Sequence, residues 1–301
     1  MPDVVPPGFH PAPSRPHLRL PAGACDAHCH VFGPARVFPF AAERTFTPGD
    51  APKERLFQLH ALLGIERCVI VQSGCHGFDN RVVADAIAAK QGHYCGIALV
   101  PLTVTDTEMR RLHAQGFRGV RFSFMKHLAA GPSIADVIAF TQRLADYGWQ
   151  LHLHFDSTSI DELAPWLKRS VAPLIIDHMA RIDVSRGLDQ PPFHTLRGLM
   201  EHAHIWVKVS GVDRCTRQGP PYADAIPLAR ALVESAGDRV LWGTDWPHPN
   251  NTHVPDDGQL VDVLAEIVPG DAARRALLVD NPQRLYQFPV ALTATAGQGK
   301  A

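Results

Sequence analysis

Eight short apolar runs rich in β-branched or aromatic residues punctuate the chain: CDAHCHVF (25–32), RCVIVQS (67–73), YCGIALV (94–100), GVRFSF (119–124), WQLHLHF (149–155), PLIIDH (173–178), IWVKVSG (205–211) and RVLWGTDW (239–246). Runs of that length and composition predict strands. Between most of them the apolar residues recur at three- and four-residue spacing, as in 52–64, 80–92, 133–148 and 222–237, which predicts amphipathic helices. Gly64, Gly92, Gly148 and Gly237 close those stretches where a left-handed C-cap is expected. Strand, helix, glycine, strand is the rhythm of a parallel sheet. Eight such units in about 270 residues match the size of a (β/α)8 barrel. A doubly wound open sheet more often has about five or six units and a glycine-rich phosphate loop, and no GxGxxG or Walker pattern follows any predicted strand. The expected fold is α/β, a single-domain (β/α)8 TIM barrel.

Residues 1–22 hold many prolines and little periodicity, which predicts an extended N-terminal arm able to wrap the body or a neighbouring subunit, so that a homo-oligomer is open. The barrel then spans 23–288, and residues 289–301 read as a flexible C-terminal tail. Prolines interrupt the first residues where an export signal would need an apolar stretch, and no later segment approaches the roughly 20 apolar residues that cross a bilayer. A cytoplasmic protein is expected. With 29 Lys and Arg against 30 Asp and Glu and no basic run, the chain carries no electrostatic footprint for nucleic acid or a membrane surface. The expected partner is a small molecule. The six cysteines, Cys25, Cys29, Cys68, Cys75, Cys95 and Cys215, form no CxxC pair and read as free thiols. Seventeen histidines are many for this length, and imidazole is the commonest metal ligand and acid–base group.

In a (β/α)8 barrel the chemistry collects at the C-terminal ends of the strands. The first predicted strand ends in His28 and His30, which the two-residue period of a strand puts on one face with Asp26 one step deeper. The sixth ends in His178 and the eighth in Asp245. Taken singly, each could cap a loop. Three imidazoles and one carboxylate from separate strands, converging on one mouth, point to a catalytic or metal-binding centre instead.

The stretches DAHCH, IDH and GTDWPHPN resemble the amidohydrolase superfamily, and GVRFSFMKHL, IDHMAR and WGTDWPHPN are most similar to its branch of 2-pyrone-4,6-dicarboxylate lactonases, over residues 22 to 288. The resemblance implies a lactone-hydrolysing TIM barrel that requires no metal. In it His28, His30 and His178 donate hydrogen bonds to the lactone carbonyl and Asp245 takes the proton from water. It also implies that Arg121, Arg181, Arg214 and Asn250 contact the substrate, with Ser73 adding a hydroxyl donor. Where the branch has tyrosines and an arginine, this chain carries Phe46, His154 and His127, departures that bear on which ring and acid groups are held.

By chemistry alone, an HxH pair with a third His and an Asp is also a competent ligand set for one Zn²⁺ or Mn²⁺. Both mechanisms use the same residues. A two-metal site would need a bridging lysine at a strand end, where only Lys126 and Lys208 come near. His152 and His154 form a second HxH that could complete a mononuclear set.

Cations also gather at these strand ends: Arg121, Lys126 and His127, then Arg181, Arg214 and Arg217. Buried unpaired charge is costly, so such a pocket calls for an anionic ligand unless barrel carboxylates such as Asp177 or Asp213 take some of the arginines. A dicarboxylate lactone fits. The expected reaction is hydrolysis of 2-pyrone-4,6-dicarboxylate to 4-oxalomesaconate, reversible, in the breakdown of lignin-derived aromatics through protocatechuate. The alternatives are a metal-dependent lactonase for 4-sulfomuconolactone or a sugar lactone, a metal-dependent decarboxylase of an aromatic or muconate acid, and a non-catalytic barrel that binds a small anion.

Overall fold

All eight apolar runs form strands: β1 (Cys25–Cys29), β2 (Arg67–Val71), β3 (Tyr94–Ala98), β4 (Phe117–Ser123), β5 (Gln150–His154), β6 (Leu174–Ile176), β7 (Ile205–Lys208) and β8 (Val240–Leu241). The computed structural model describes residues 8–125, 131–251 and 253–289. The strands run parallel in chain order. Because β8 is short, the ring is closed by backbone bonds just beyond it: Ala27 N donates to Trp242 O at 2.9 Å, Asp245 N to His28 O at 2.7 Å and His30 N to Trp246 O at 2.7 Å. The result is a single-domain (β/α)8 barrel.

The helices follow the apolar periodicity: α1 (Lys53–Leu63), α2 (Arg81–Ala89), α3 (Asp106–Ala114), α4 (Ile134–Asp146), α5 (Ile160–Leu167), α6 (Pro191–Leu199), the one-turn α7 (Val212–Cys215) and α8 (Ile226–Ala236). Ser133 starts α4 by accepting the Asp136 amide at 3.1 Å, a side-chain cap typically worth about 1 kcal/mol. Gly64, Gly92 and Gly148 adopt the positive φ expected of them, at 80°, 79° and 64°. Gly237 does not: its φ is −57°, because the chain winds on from α8 into a right-handed 3-10 turn, Gly237–Arg239.

Outward-facing strand residues such as Ile70, Val120, Leu151, Leu153 and Val207 pack against the helices. Inside, a second apolar cluster of Cys25, Ala27, Val69, Ile97, Ile175 and Trp206 fills the base of the barrel, closed below by Leu285, Tyr286 and Phe288. Each large aliphatic or aromatic side chain among them, fully buried, contributes about 1.5–3 kcal/mol. Higher up, the layers of branched apolar residues usual in this fold give way to Arg121, His152, Asp177 and Lys208. That polar layer is the floor of the site.

The described part of the arm lies along the same chain. Phe9 sits 5.0 Å from the Trp246 ring, and the Ser14 amide donates to Asp256 at 3.0 Å. The Leu18 amide donates to Asp262 at 2.8 Å. Beyond Pro289 the C-terminal tail lies outside the described residues. Among the described residues, no helix is long and apolar enough to cross a membrane.

Candidate active site

The HxH pair owes its position to an irregularity in β1. Pairing with β2 advances from Asp26↔Cys68 to Cys29↔Ile70, three residues on one strand against two on the other, which is a β-bulge. Strict alternation from Cys25 and Ala27 would carry Cys29 into the barrel. The bulge turns Cys29 out into the helix-facing core and puts His28 and His30 inside. It also corrects the expectation for Asp26, which faces α1 instead of the site. Its Oδ2 meets His60 Nε2 at 3.2 Å and accepts from Thr244 Oγ at 2.6 Å, while Oδ1 accepts the amides of His28 and Thr244 at 3.0 and 3.1 Å. Asp26 thus ties the seam between β1 and the β8 loop.

The other two residues sit on strained backbone. After β6 the chain makes a left-handed turn in which His178, Met179, Ala180 and Arg181 have φ of 49°, 54°, 52° and 51°, and Asp245 has φ of 61°. Each such non-glycine residue costs roughly 1–2 kcal/mol. Strain of this kind collects where side chains must be aimed.

His28, His30, His178 and Asp245 are all buried and meet. Asp245 Oδ1 is 3.2 Å from His30 Nε2 and 3.5 Å from His28 Nε2, and Oδ2 is 3.7 Å from His178 Nε2 while paired with the Nε of Arg214. Burial alone would raise the Asp245 carboxyl, but the Arg214 guanidinium paired with it holds it well below the usual carboxylate range. It is an anion at neutral pH. Burial lowers His178 to about 3, so that ring is neutral, with Nδ1 3.1 Å from Ser210 Oγ. His30 Nδ1 lies 2.7 Å from the Val71 carbonyl, which only an N–H can satisfy. Its Nε2 therefore presents a lone pair unless the ring is cationic, so the donor role expected of His30 requires an imidazolium.

Beneath them lies the charged layer. Asp177 Oδ2 accepts from Arg121 Nε at 2.8 Å, and Oδ1 is 3.1 Å from the ammonium of Lys208. Burial would raise Asp177, yet Lys208 and Arg121 together hold it well below the carboxylate range. Lys208 in turn lies 2.9 Å from His28 Nδ1 and 3.0 Å from His152 Nδ1.

Above the layer opens a cavity of about 530 Å³, lined by His30, His178 and Asp245 together with Phe46, Ser73, Arg121, His154, Arg181, Arg214 and Asn250. His28 is fully buried behind that wall, and His152 is buried within the floor layer, near Tyr286. Arg217 does not reach the cavity. The chain leaves α7 in an extended conformation at Thr216, so Arg217 points to solvent and pairs with Asp183 at 3.5 Å. Lys126 and His127 lie outside the described residues. Sequence reasoning undervalued Asp177 and Lys208; the available signal was a charged residue within, or directly after, an otherwise apolar strand. Thr45, Ser123 and Met125 also line the cavity, although sequence reasoning assigned none of them a role.

The donor set fits a single metal ion: ligand atoms of His28, His178 and Asp245 lie within 4.8 Å of one another. His28 Nε2 and Asp245 Oδ1 are buried without a hydrogen-bond partner. Against that stands the charge already present, since Arg214 neutralises Asp245 and Lys208 crowds His28 from behind.

Residues 25–288 match the sequence profile of the amidohydrolase family. The chain is 44% identical to a 2-pyrone-4,6-dicarboxylate hydrolase of Comamonas testosteroni, with 91% of this chain and 93% of that one covered. It is 40% identical to a 4-sulfomuconolactone hydrolase of Hydrogenophaga intermedia, with 95% of each covered. A crystal structure from Acinetobacter baumannii with citric acid bound superposes with a TM-score of 0.77 at 25% identity, covering 88% of this chain and all of that one.

Proposed function

The chain belongs to the amidohydrolase family, and within it we propose that it hydrolyses a carboxylated lactone, 2-pyrone-4,6-dicarboxylate, to 4-oxalomesaconate. The observation that carries this reading is the juxtaposition of an ionised buried carboxylate, Asp245, with a cavity whose wall holds Arg121, Arg181 and Arg214. A carboxylate base with three guanidiniums suits a substrate that is both an electrophile and a dianion. Relatives whose names specify carboxylated or sulfonated lactones support it.

Arg121 and Arg181 engage Asp177 and Asp156 through Nε, which leaves their Nη groups to grip substrate carboxylates. Asn250, Ser73, His154 and Phe46 complete the wall against which the ring lies. Asp245 Oδ1, free of any donor bond, takes the proton as water adds to the lactone carbonyl. His178, neutral, and His28 from behind stabilise the oxygen on which charge develops, an effect typically worth about 10²–10³ in rate per donor. The lone pair of His30 Nε2 receives the proton from Asp245. Collapse of the adduct then breaks the acyl C–O bond, and the ring oxygen leaves as an enol by taking the proton held on His30, after which the enol relaxes to the keto acid.

We read this chemistry as needing no metal, since Arg214 already balances the charge of Asp245. A Zn²⁺ or Mn²⁺ at the site would be held by His28, His30, His178 and Asp245. It would supply carbonyl polarisation and a more acidic water. A binding module would need the arginines but no general base, which favours an enzyme. We place it in the cytoplasm, where its six buried free thiols persist.

The test is steady-state turnover of 2-pyrone-4,6-dicarboxylate, followed by loss of its ultraviolet absorbance, against 4-sulfomuconolactone. The expected outcome is a higher kcat/KM for the dicarboxylate. A higher value for the sulfonate would reassign the substrate, and release of carbon dioxide would replace hydrolysis by decarboxylation.

A further inference from the structure

Lys208 is fully buried inside the barrel, where an ammonium survives only with compensating partners. It has them: Asp177 Oδ1 at 3.1 Å, and two imidazole nitrogens, His28 Nδ1 at 2.9 Å and His152 Nδ1 at 3.0 Å. An ammonium has three protons and no lone pair, so a ring nitrogen in contact with it must be an acceptor. That contact decides the tautomer of His28. We propose that Lys208 is a positioning residue that holds His28 with Nδ1 bare and Nε2 protonated, aiming an N–H at Asp245 and the reacting carbonyl, and that it thereby keeps His28 from acting as a metal ligand.

The alternative tautomer is within easy reach. His28 Nδ1 also lies 3.4 Å from Asp177 Oδ1. Without the ammonium, the ring would place its proton on Nδ1 and donate to that carboxylate, the arrangement that orients metal-bound imidazoles. Nε2 would then carry a lone pair facing Asp245 Oδ1, 3.5 Å away, beside His30 Nε2, which already presents one. The structure thus holds a metal-competent donor set one proton away from a donor of hydrogen bonds. Lys208 selects between them. Through Asp177, the same ammonium also steadies Arg121, whose Nε sits on the other carboxylate oxygen at 2.8 Å.

The inference rests on the lactonase reading only for its kinetic consequence; the tautomer and the metal affinity are properties of the protein alone. The first experiment leaves Lys208 in place. In ¹⁵N-histidine-labelled wild-type protein at neutral pH, with the His28 signals assigned by their loss in His28→Gln, Nδ1 is expected in the unprotonated range and Nε2 in the protonated range. A protonated Nδ1 overturns the proposal. In the second, Lys208→Met and Lys208→Gln are titrated with Zn²⁺ calorimetrically. Both are expected to bind at least tenfold more tightly than wild type, and unchanged or weaker binding by a variant that keeps the wild-type circular dichroism spectrum contradicts the proposal. With 2-pyrone-4,6-dicarboxylate, chelated Lys208→Met is expected to lose about 10²-fold in kcat with KM changed much less, the size of one lost oxyanion donor. Loss in KM alone would count against the positioning role. If wild type turns over no lactone but shows the expected tautomer, the function fails and the role of Lys208 stands.

Discussion

Asp245 concentrates the chemistry because, among the described residues, it is the one carboxylate in the cavity wall, with one oxygen held by Arg214 and the other open toward two imidazoles. Asp245→Asn keeps the shape and removes the base, so kcat is expected to fall by about 10²–10⁴, with the fold retained by circular dichroism. A variant with more than a tenth of wild-type kcat would remove Asp245 from that role. Arg121→Ala should act differently. Losing a charge-assisted grip of about 1.5–3 kcal/mol raises KM for the dicarboxylate roughly 10- to 150-fold, and an unchanged KM would show that the carboxylates bind elsewhere. Most of these residues were legible in the chain, because HxH, IDH and TDW each close an apolar run and a barrel brings strand ends together. Lys208 was legible only as a lysine at an inward position. Its meaning depends on His28, 180 residues away, and on His152, 56 residues away.

Among the elements, the seam between β1 and the β8 loop was the part the sequence hid. A bulge is a difference of one residue between two strands, visible only when their pairing is known, and it reversed the side to which Asp26 points. The seam also explains Gly243. A methyl there would collide with the His28 amide and lie 2.6 Å from Asp26 Oδ1. Gly243→Ala should cost about 1–3 kcal/mol or more in stability and displace the HxH pair; unaltered melting and activity would mean the seam is looser than this. Beyond β8, His248 is buried with Nε2 3.0 Å from Asp257 Oδ1. Burial opposes its charge, but Asp257 and Asp213 outweigh it and raise its pKa above the ordinary 6.5. The folded protein therefore binds this proton more tightly than the unfolded chain. The stabilisation is complete below pH 6.5 and is lost as pH rises through the higher folded value. The melting-temperature difference between wild type and His248→Gln should accordingly shrink at alkaline pH, and a difference that grows would contradict the assignment.

At the scale of the whole molecule, the barrel divides its interior into an apolar base and a charged upper layer, and the cavity stands on that layer. The fold was readable because hydrophobic periodicity repeats through the chain. The charged layer was not, because Arg121, Asp177 and Lys208 make sense only as partners across the barrel. Four cations, Arg121, Arg181, Arg214 and Lys208, stand around and beneath the cavity against three carboxylates, Asp156, Asp177 and Asp245, and that excess of positive charge favours a dianionic substrate over a divalent cation. The most direct test is the rate at which exhaustively chelated protein, with its metal content measured, consumes 2-pyrone-4,6-dicarboxylate. Full activity is expected in metal-depleted protein. Activity that disappears on chelation and returns with Zn²⁺ or Mn²⁺ would contradict that expectation and make His28, His30, His178 and Asp245 metal ligands.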